Sequence, residues 1–273
     1  MILKAFCTDI DGTLLNKDRQ LSPKTIATIQ RLPKDFPVVL ASSRMPSAMY
    51  HLQKELGVHP SSLICYNGGY VLHYADGAHT PEVLETVMIP VSICQPILEM
   101  TQGTQVHMSL YQEDFWYAPQ MDQWTEREEK ITKAKAILQH PAQVLENWQQ
   151  ADTGAHKIML MGPEEEIHAL EQALNKQFGE EIHIYRSKDT YLELAPKAIS
   201  KASGLELILQ KHNIQLSEVI AFGDNYNDIH MLQEVGLGIA VANARDEVKA
   251  VANEVTLKSI EDGVAVAVEK YCL

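Results

Sequence analysis

Cationic side chains are scarce in this chain of 273 residues: 23 lysines and arginines against 36 aspartates and glutamates leave a formal charge of −13. That balance argues against a nucleic-acid partner, because binding a polyanion needs a basic surface. Long apolar runs are missing too. No stretch approaches the roughly 18–20 residues of a membrane span, so no membrane partner is expected. The start lacks the basic region and cleavage signature of a secretory signal, and a cytoplasmic protein is the expectation. Cysteine is sparse: Cys7, Cys65, Cys94 and Cys272 lie scattered without paired metal-type spacing, which reads as buried or terminal thiols in a reducing compartment. The 11 histidines include no H-x-x-x-H pair, arguing against that kind of zinc site. Low-complexity segments and convincing internal repeats are also absent.

What is present is an ordinary globular composition, 45% hydrophobic, in a chain long enough for two domains. At both ends apolar strands alternate with helical patterns, which predicts an α/β fold with a Rossmann-like, doubly wound parallel sheet. Candidate strands are residues 2–7, 38–41, 63–65, 219–222 and 238–241. Candidate helices are 23–31, 46–56, 201–212, 226–233, 246–252 and 259–270, the first capped by Ser22 with Pro23 at its opening position. The middle, 82–188, carries two strand and helix groups of its own. One runs through 83–89, 91–101 and 106–111, the other through 157–161, 164–178 and 181–186. Ile167, Leu170, Leu174 and Phe178 mark one apolar face of that last helix, a core stripe at helical spacing.

The chemistry gathers where strands end. Thr8-Asp9-Ile10-Asp11-Gly12-Thr13 follows the first apolar run, and aspartates at i and i+2 in extended chain project to one side. Asp9 and Asp11 can therefore share a reacting group: a carboxylate attacks phosphorus to give an aspartyl-phosphate, and a neighbouring carboxyl hands a proton to the departing oxygen. A calcium loop would need a third oxygen ligand and then its glycine, where this chain has Thr13 and Leu14. A second cluster, Gly223-Asp224-Asn225-Tyr226-Asn227-Asp228, follows another apolar run. A hard divalent cation needs oxygen ligands, and magnesium typically takes one or two carboxylates plus water and phosphate oxygens. Asp9 and Asp224 can supply them. Asp228, four residues on, faces the same side of a helical turn, as an outer ligand or through water; it can also simply complement the helix dipole.

With these motifs in this order, the chain resembles the haloacid dehalogenase superfamily of phosphotransferases, in its Cof-type branch (subfamily IIB, with a C2-type cap). The family's second motif, a small hydroxyl residue after the second core strand, matches Ser42 in Val38-Val39-Leu40-Ala41-Ser42-Ser43-Arg44. Its third, a lysine opening a helix, matches Lys201 in Glu193-Leu194-Ala195-Pro196-Lys197-Ala198-Ile199-Ser200-Lys201, with Lys197 a competing candidate. Ser42-Ser43-Arg44 stands where the family usually has Thr-Gly-Arg, and Ala198 and Ala202 where it has glycines. Ser43 thus places a side chain where a backbone amide would approach phosphate.

The resemblance implies a catalytic core of residues 1–81 and 189–273 with an inserted α+β cap of residues 82–188. It implies Asp9 as nucleophile and Asp11 as acid and base, Asp11 being protonated when substrate arrives through burial under the cap, with its backbone carbonyl on Mg2+. Magnesium would be held by Asp9, Asp11, Asp224 and Asp228, the phosphoryl group by Ser42, Ser43, Lys201 and Asn227. Arg44 and Asn67, the latter at the family's Asn-Gly position, are candidate substrate contacts, although Asn-Gly also makes a good turn. Tyr111, Phe115, Trp116, Tyr117 and Trp124 can close over a sugar or aromatic ring or pack within the cap. The implied activity is magnesium-dependent hydrolysis of a small phosphorylated metabolite, with sugar phosphates as the leading class. A phosphomutase and a non-catalytic sugar-phosphate sensor stay open as alternatives, as does the oligomeric state.

Overall fold

A computed structural model describes residues 2–75 and 77–273 and divides the chain into two compact units, residues 1–85 with 199–273 and residues 86–198. In chain order the first unit opens with β1 (Ala5–Asp9), α1 (Pro23–Ile29), β2 (Val38–Ala41), α2 (Ser47–Leu56), β3 (Leu63–Cys65), β4 (Tyr70–His73) and β5 (Glu82–Thr86). The second unit contributes β6 (Ile89–Pro90), α3 (Val91–Thr101), β7 (His107–Gln112), β8 (Phe115–Ala118), α4 (Gln123–Thr132), β9 (Ile137–Leu138) and α5 (Pro141–Gln150). It continues through β10 (Gly154–Ala155), β11 (Lys157–Met161), α6 (Glu164–Phe178), β12 (Ile182–Lys188) and β13 (Tyr191–Pro196). The chain then returns to the first unit through α7 (Lys201–His212), β14 (Val219–Gly223), α8 (Ile229–Glu234), β15 (Leu237–Ala240), α9 (Asp246–Val251), β16 (Glu254–Val255) and α10 (Gly263–Tyr271).

The eight strands of the first unit's sheet lie in the order β16-β15-β14-β1-β2-β3-β4-β5. From β16 to β3 every pairing is parallel, and β4 turns back antiparallel to β3. Strands β1, β2, β3 and β14 are buried along their whole length, as expected of a parallel sheet covered on both faces. Helix α1 packs with α2 and α10, and α8 with α7 and α9, so the expected doubly wound architecture is what the chain adopts. From β1 the chain winds outward through β2 and β3, and on its return it winds the other way through β14, β15 and β16. The order of winding therefore reverses at β1 and β14, where such sheets leave a crevice beyond the carboxyl ends of the strands.

The second unit has a six-stranded sheet, β12-β13-β11-β7-β8-β9, antiparallel except for the β8–β9 pair. Alternate residues Met108, Leu110, Ile158, Leu160, Leu192 and Leu194 share one core with Ile93, Ile97, Val144 and Trp148 and with the α6 stripe Ile167, Leu170, Leu174 and Phe178. The return to the first unit falls later than residue 189, because β13 is a full partner of β11 in this sheet. The apolar run 83–89 is also divided: Glu82–Thr86 closes the edge of the first sheet, and Ile89–Pro90 pairs with β10. Trp116 and Tyr111 stack with centroids 5.7 Å apart and are buried, Tyr117 meets Trp148 edge-on and Trp124 meets Tyr191 edge-on, while Phe115 is 47% exposed. No helix among the described residues is long and apolar enough to cross a membrane. All four cysteines are free thiols, three of them buried.

His156 is fully buried, and its Nδ1 accepts from the Glu113 N–H at 2.9 Å, so Nε2 carries the proton and meets Thr86 Oγ1 at 3.0 Å. Burial pushes this imidazole down from 6.5 to about 4. The unfolded chain takes up a proton as pH falls through 6.5 while the folded chain refuses it until near 4. Stability should thus fall by about 3 kcal/mol across that window. In a titration followed by NMR the His156 ring should show a midpoint near 4; a midpoint at or above 6.5 would contradict this burial.

Candidate active site

Three sequence-distant segments meet at the reversal point. Asp9 ends β1 in register with Ala41 of β2, and Ser42 follows Ala41. Thr8 is opposite Phe222 of β14, so Asp224 emerges from the neighbouring strand just beyond Gly223. Past Asp9 the chain makes one wide turn, Ile10–Leu14, closed by the Leu15 N–H on the Ile10 carbonyl at 3.1 Å. Gly12 sits in that turn at φ +89°, and a Cβ there would lie 2.4 Å from Asp224 Oδ2. Only glycine lets the turn pass this close to the second acidic cluster. Gly68, at φ +106°, does the same for the Tyr66–Gly69 turn, where a Cβ would lie 2.2 Å from the Ser200 carbonyl oxygen.

Ser200 caps α7, accepting from the Ser203 N–H at 3.0 Å, so that Lys201 occupies the first helical position. Lys201 has no exposed surface, and its ammonium donates to Asp9 Oδ1 at 2.5 Å and to Asp228 Oδ1 at 2.7 Å. The other Asp228 oxygen accepts from the Asp224 and Asn225 backbone N–H groups at 2.9 and 3.0 Å. Asp224 Oδ1 accepts from Thr13 Oγ1 at 2.9 Å. Asp9 Oδ2 is buried and, among the described residues, meets no hydrogen-bond partner. Burial pushes the Asp9 carboxyl well up; Lys201 pulls it down, and Asp228 and Asp224 push it up again. Asp224 is raised to about 6, first by burial and then by Asp228.

Asp9, Asp224 and Asp228 each offer an oxygen within 4.8 Å of the others. A divalent cation fits this set, since it requires hard oxygen donors, meets an orphaned one at Asp9 Oδ2, and offsets the crowding of carboxylates.

Asp11 is ion-paired in this structure, with 38% of its side chain exposed. Burial works to raise its pKa, but Arg44 outweighs it and the net shift is downward. Arg44 grips it with a fork, Nε to Oδ2 at 2.7 Å and Nη2 to Oδ1 at 2.8 Å, and Arg19 adds a contact to Oδ1 at 3.2 Å. Arg44 is itself buried and anchored to the Ala48 carbonyl at 3.1 Å. Ser42 is buried and its Oγ accepts from the Arg44 N–H at 3.3 Å; Ser43 sits half-buried between them. Asn227 donates to Asn67 Oδ1 at 2.9 Å, tying the turn after β3 to the second acidic cluster. Lys197 lies in the second unit and bonds the Gly179 carbonyl at 2.8 Å, leaving Lys201 as the lysine of this site. Thr13 lies within the first motif, and its bond to Asp224 gives it a place in the site; Arg19 carries no local sequence signal for its contact with Asp11.

Two other features carry no comparable chemistry. In the second unit Asp122, His107 and Ser109 form a hydrogen-bonded chain with both links at 2.8 Å. Ser109 is fully buried and accepts from Trp116 Nε1 at 2.9 Å, so this chain is structural. A cavity of about 660 Å³ opens beside Val38, Leu56 and His59, at the amino end of β2, away from the carboxylates.

Fold and site together define a doubly wound α/β protein with clustered carboxylates at the carboxyl ends of its central strands. Residues 6–268 match the haloacid dehalogenase-like hydrolase family, and the chain belongs to it. It is 32% identical over 273 residues to a Haemophilus influenzae protein provisionally named a phosphatase, covering 99% of this chain and 98% of that one. It is 28% identical over 274 residues to the 5-amino-6-(5-phospho-D-ribitylamino)uracil phosphatase YitU of Bacillus subtilis, covering 96% and 95%. A solved haloacid dehalogenase-like hydrolase from Bacteroides thetaiotaomicron superposes with a TM-score of 0.85 at 27% identity, over 98% of this chain and 99% of that one. The chain is thus an enzyme of the phosphatase type within this family.

Removing Lys201 would leave Asp9 and Asp228 facing each other in a buried site. Lys201→Met should therefore cost about 3 kcal/mol of unfolding free energy, read from the urea midpoint. A wild-type midpoint would contradict the pairing described.

Proposed function

We propose that this enzyme hydrolyses a small phosphate monoester, with sugar phosphates as the leading class, through an aspartyl-phosphate formed on Asp9 and with the help of Mg2+. The observation that carries this reading is the state of Asp9: one oxygen held by a buried ammonium, the other unpartnered, at the mouth of a parallel sheet. A relative named for a phosphoribityl compound supports a small phosphorylated metabolite as substrate.

Asp9 attacks phosphorus in line, and the bond from phosphorus to the leaving oxygen breaks as Asp11 gives that oxygen a proton. Asp11, then a carboxylate, takes a proton from the water that attacks phosphorus and frees Asp9. The Arg44 fork favours the second role, since it holds Asp11 as the base. For the first role Asp11 must acquire a proton, which requires the fork to loosen as substrate enters. Lys201 orients Asp9 and neutralises charge beside it, and Ser42 offers a hydroxyl at the neighbouring strand end. Asp9 and Asp224 would hold the metal directly, with Asp228, whose oxygens already accept from three donors, orienting Lys201 and the loop. Bound Mg2+ supplies positive charge against the phosphoryl oxygens. Residues 1–85 and 199–273 form the catalytic core in this reading, and residues 86–198 the cap.

Phosphate release from a panel of sugar phosphates, nucleotides and cofactor phosphates should require magnesium, stop with a chelator and vanish in Asp9→Asn. Asp11→Asn should lose nearly all turnover while calorimetry still detects magnesium binding. Sustained turnover by a verified Asp9→Asn preparation would falsify the nucleophile assignment.

A further inference from the structure

Beside Asp11 the first unit carries an open, solvent-facing cavity of about 360 Å³, within the range of small-molecule sites. Its charged lining is Asp11, Lys17, Arg19 and Lys258. Arg44 and Arg19 both pair with the single charge of Asp11, so with Lys17 and Lys258 added the lining carries an excess of positive charge. This makes an island of positive charge in a chain whose formal charge is −13. Neither lysine forms an ion pair among the described residues.

The walls are built rather than incidental. Asn243 donates to the Gly12 carbonyl at 2.8 Å and accepts from the Ser259 N–H at 2.8 Å, which ties the turn after Asp9 to the segment carrying Lys258. Asn16 accepts from the Asp18 and Gln20 N–H groups at 2.9 and 3.1 Å, folding the segment that carries Lys17 and Arg19 into a tight turn. Arg19, at φ +57°, is directed by that turn onto Asp11. Buried Leu15 and exposed Ile260 add apolar lining for a carbon skeleton.

The position gives this charge a use. In the phosphatase reading, on which this inference rests, the leaving oxygen lies against the Asp11 carboxyl, so the remainder of the leaving group is within reach of the cavity that Asp11 lines. We propose that the ester hydrolysed at Asp9 carries a second anionic group, phosphate or carboxylate, which Lys17, Arg19 and Lys258 receive in the cavity beside Asp11. The substrate class is accordingly a sugar bisphosphate or a phosphorylated sugar acid. Long-range attraction of such a polyanion to an acidic protein is poor, and this local cation cluster supplies the short-range attraction instead.

The test compares kcat/KM for a sugar bisphosphate with that for the monophosphate of the same carbon skeleton. The wild-type enzyme should prefer the bisphosphate by about tenfold, a few-fold from each exposed cation. Lys17→Gln combined with Lys258→Gln should remove most of that preference, as should raising the ionic strength. No preference in the wild-type enzyme, or a preference that survives the double substitution, overturns the proposal. If neither ester releases phosphate, the phosphatase reading fails separately. Calorimetric titration of the two esters then decides the cavity alone: tighter binding of the bisphosphate, weakened by the double substitution, upholds it, and equal affinities overturn it.

Discussion

The buried ammonium of Lys201 is the constraint on which this site depends. Three carboxylates crowd the carboxyl ends of β1 and β14, and without a cation between them that density could not be buried. Lys201 bonds Asp9 and Asp228 together, residues separated by most of the chain. Its own position is fixed by the Ser200 cap at the start of α7. Helix α7, β1 and the loop after β14 are therefore one electrostatic unit, and the position of the Asp9 carboxylate is set by it.

The sheet makes that unit possible. Parallel pairing puts the exits of β1, β2 and β14 side by side, and the reversal of winding leaves a crevice there. Glycines at 12 and 68 then let two turns come closer to polar partners than a Cβ would permit. The outcome is a graded set of carboxylates. Asp228 is saturated with donors, Asp224 has Thr13, and Asp9 keeps one oxygen open. Asp11 stands apart, neutralised from the side by Arg44 and Arg19. Such unequal treatment lets chemically identical groups take different roles.

Much of this was legible in the amino-acid sequence because the informative features are local. Apolar runs ending in acids reveal β1 and β14, Ser22-Pro23 opens α1, and the stripe Ile167, Leu170, Leu174 and Phe178 identifies α6. Other features depend on contacts that no local pattern records. The Arg44 fork spans 33 residues, and its pull on the Asp11 pKa has no counterpart in any local pattern. Helix α4 carries no apolar stripe for a sequence pattern to reveal, because its buried residues are Thr125 and Glu128. Strand β13 carries the acid and proline that precede the lysine motif, yet its pairing with β11 places it in the second unit.

The most direct test of the account is a crystal structure of the enzyme with magnesium and beryllofluoride, which mimics a phosphoryl group on a carboxylate. The account predicts beryllium bonded to an Asp9 oxygen, with Lys201 still on Asp9 and Asp228 and the metal between Asp9 and Asp224. Beryllium on Asp11 or Asp224, or a Lys201 that has left Asp9, would contradict it.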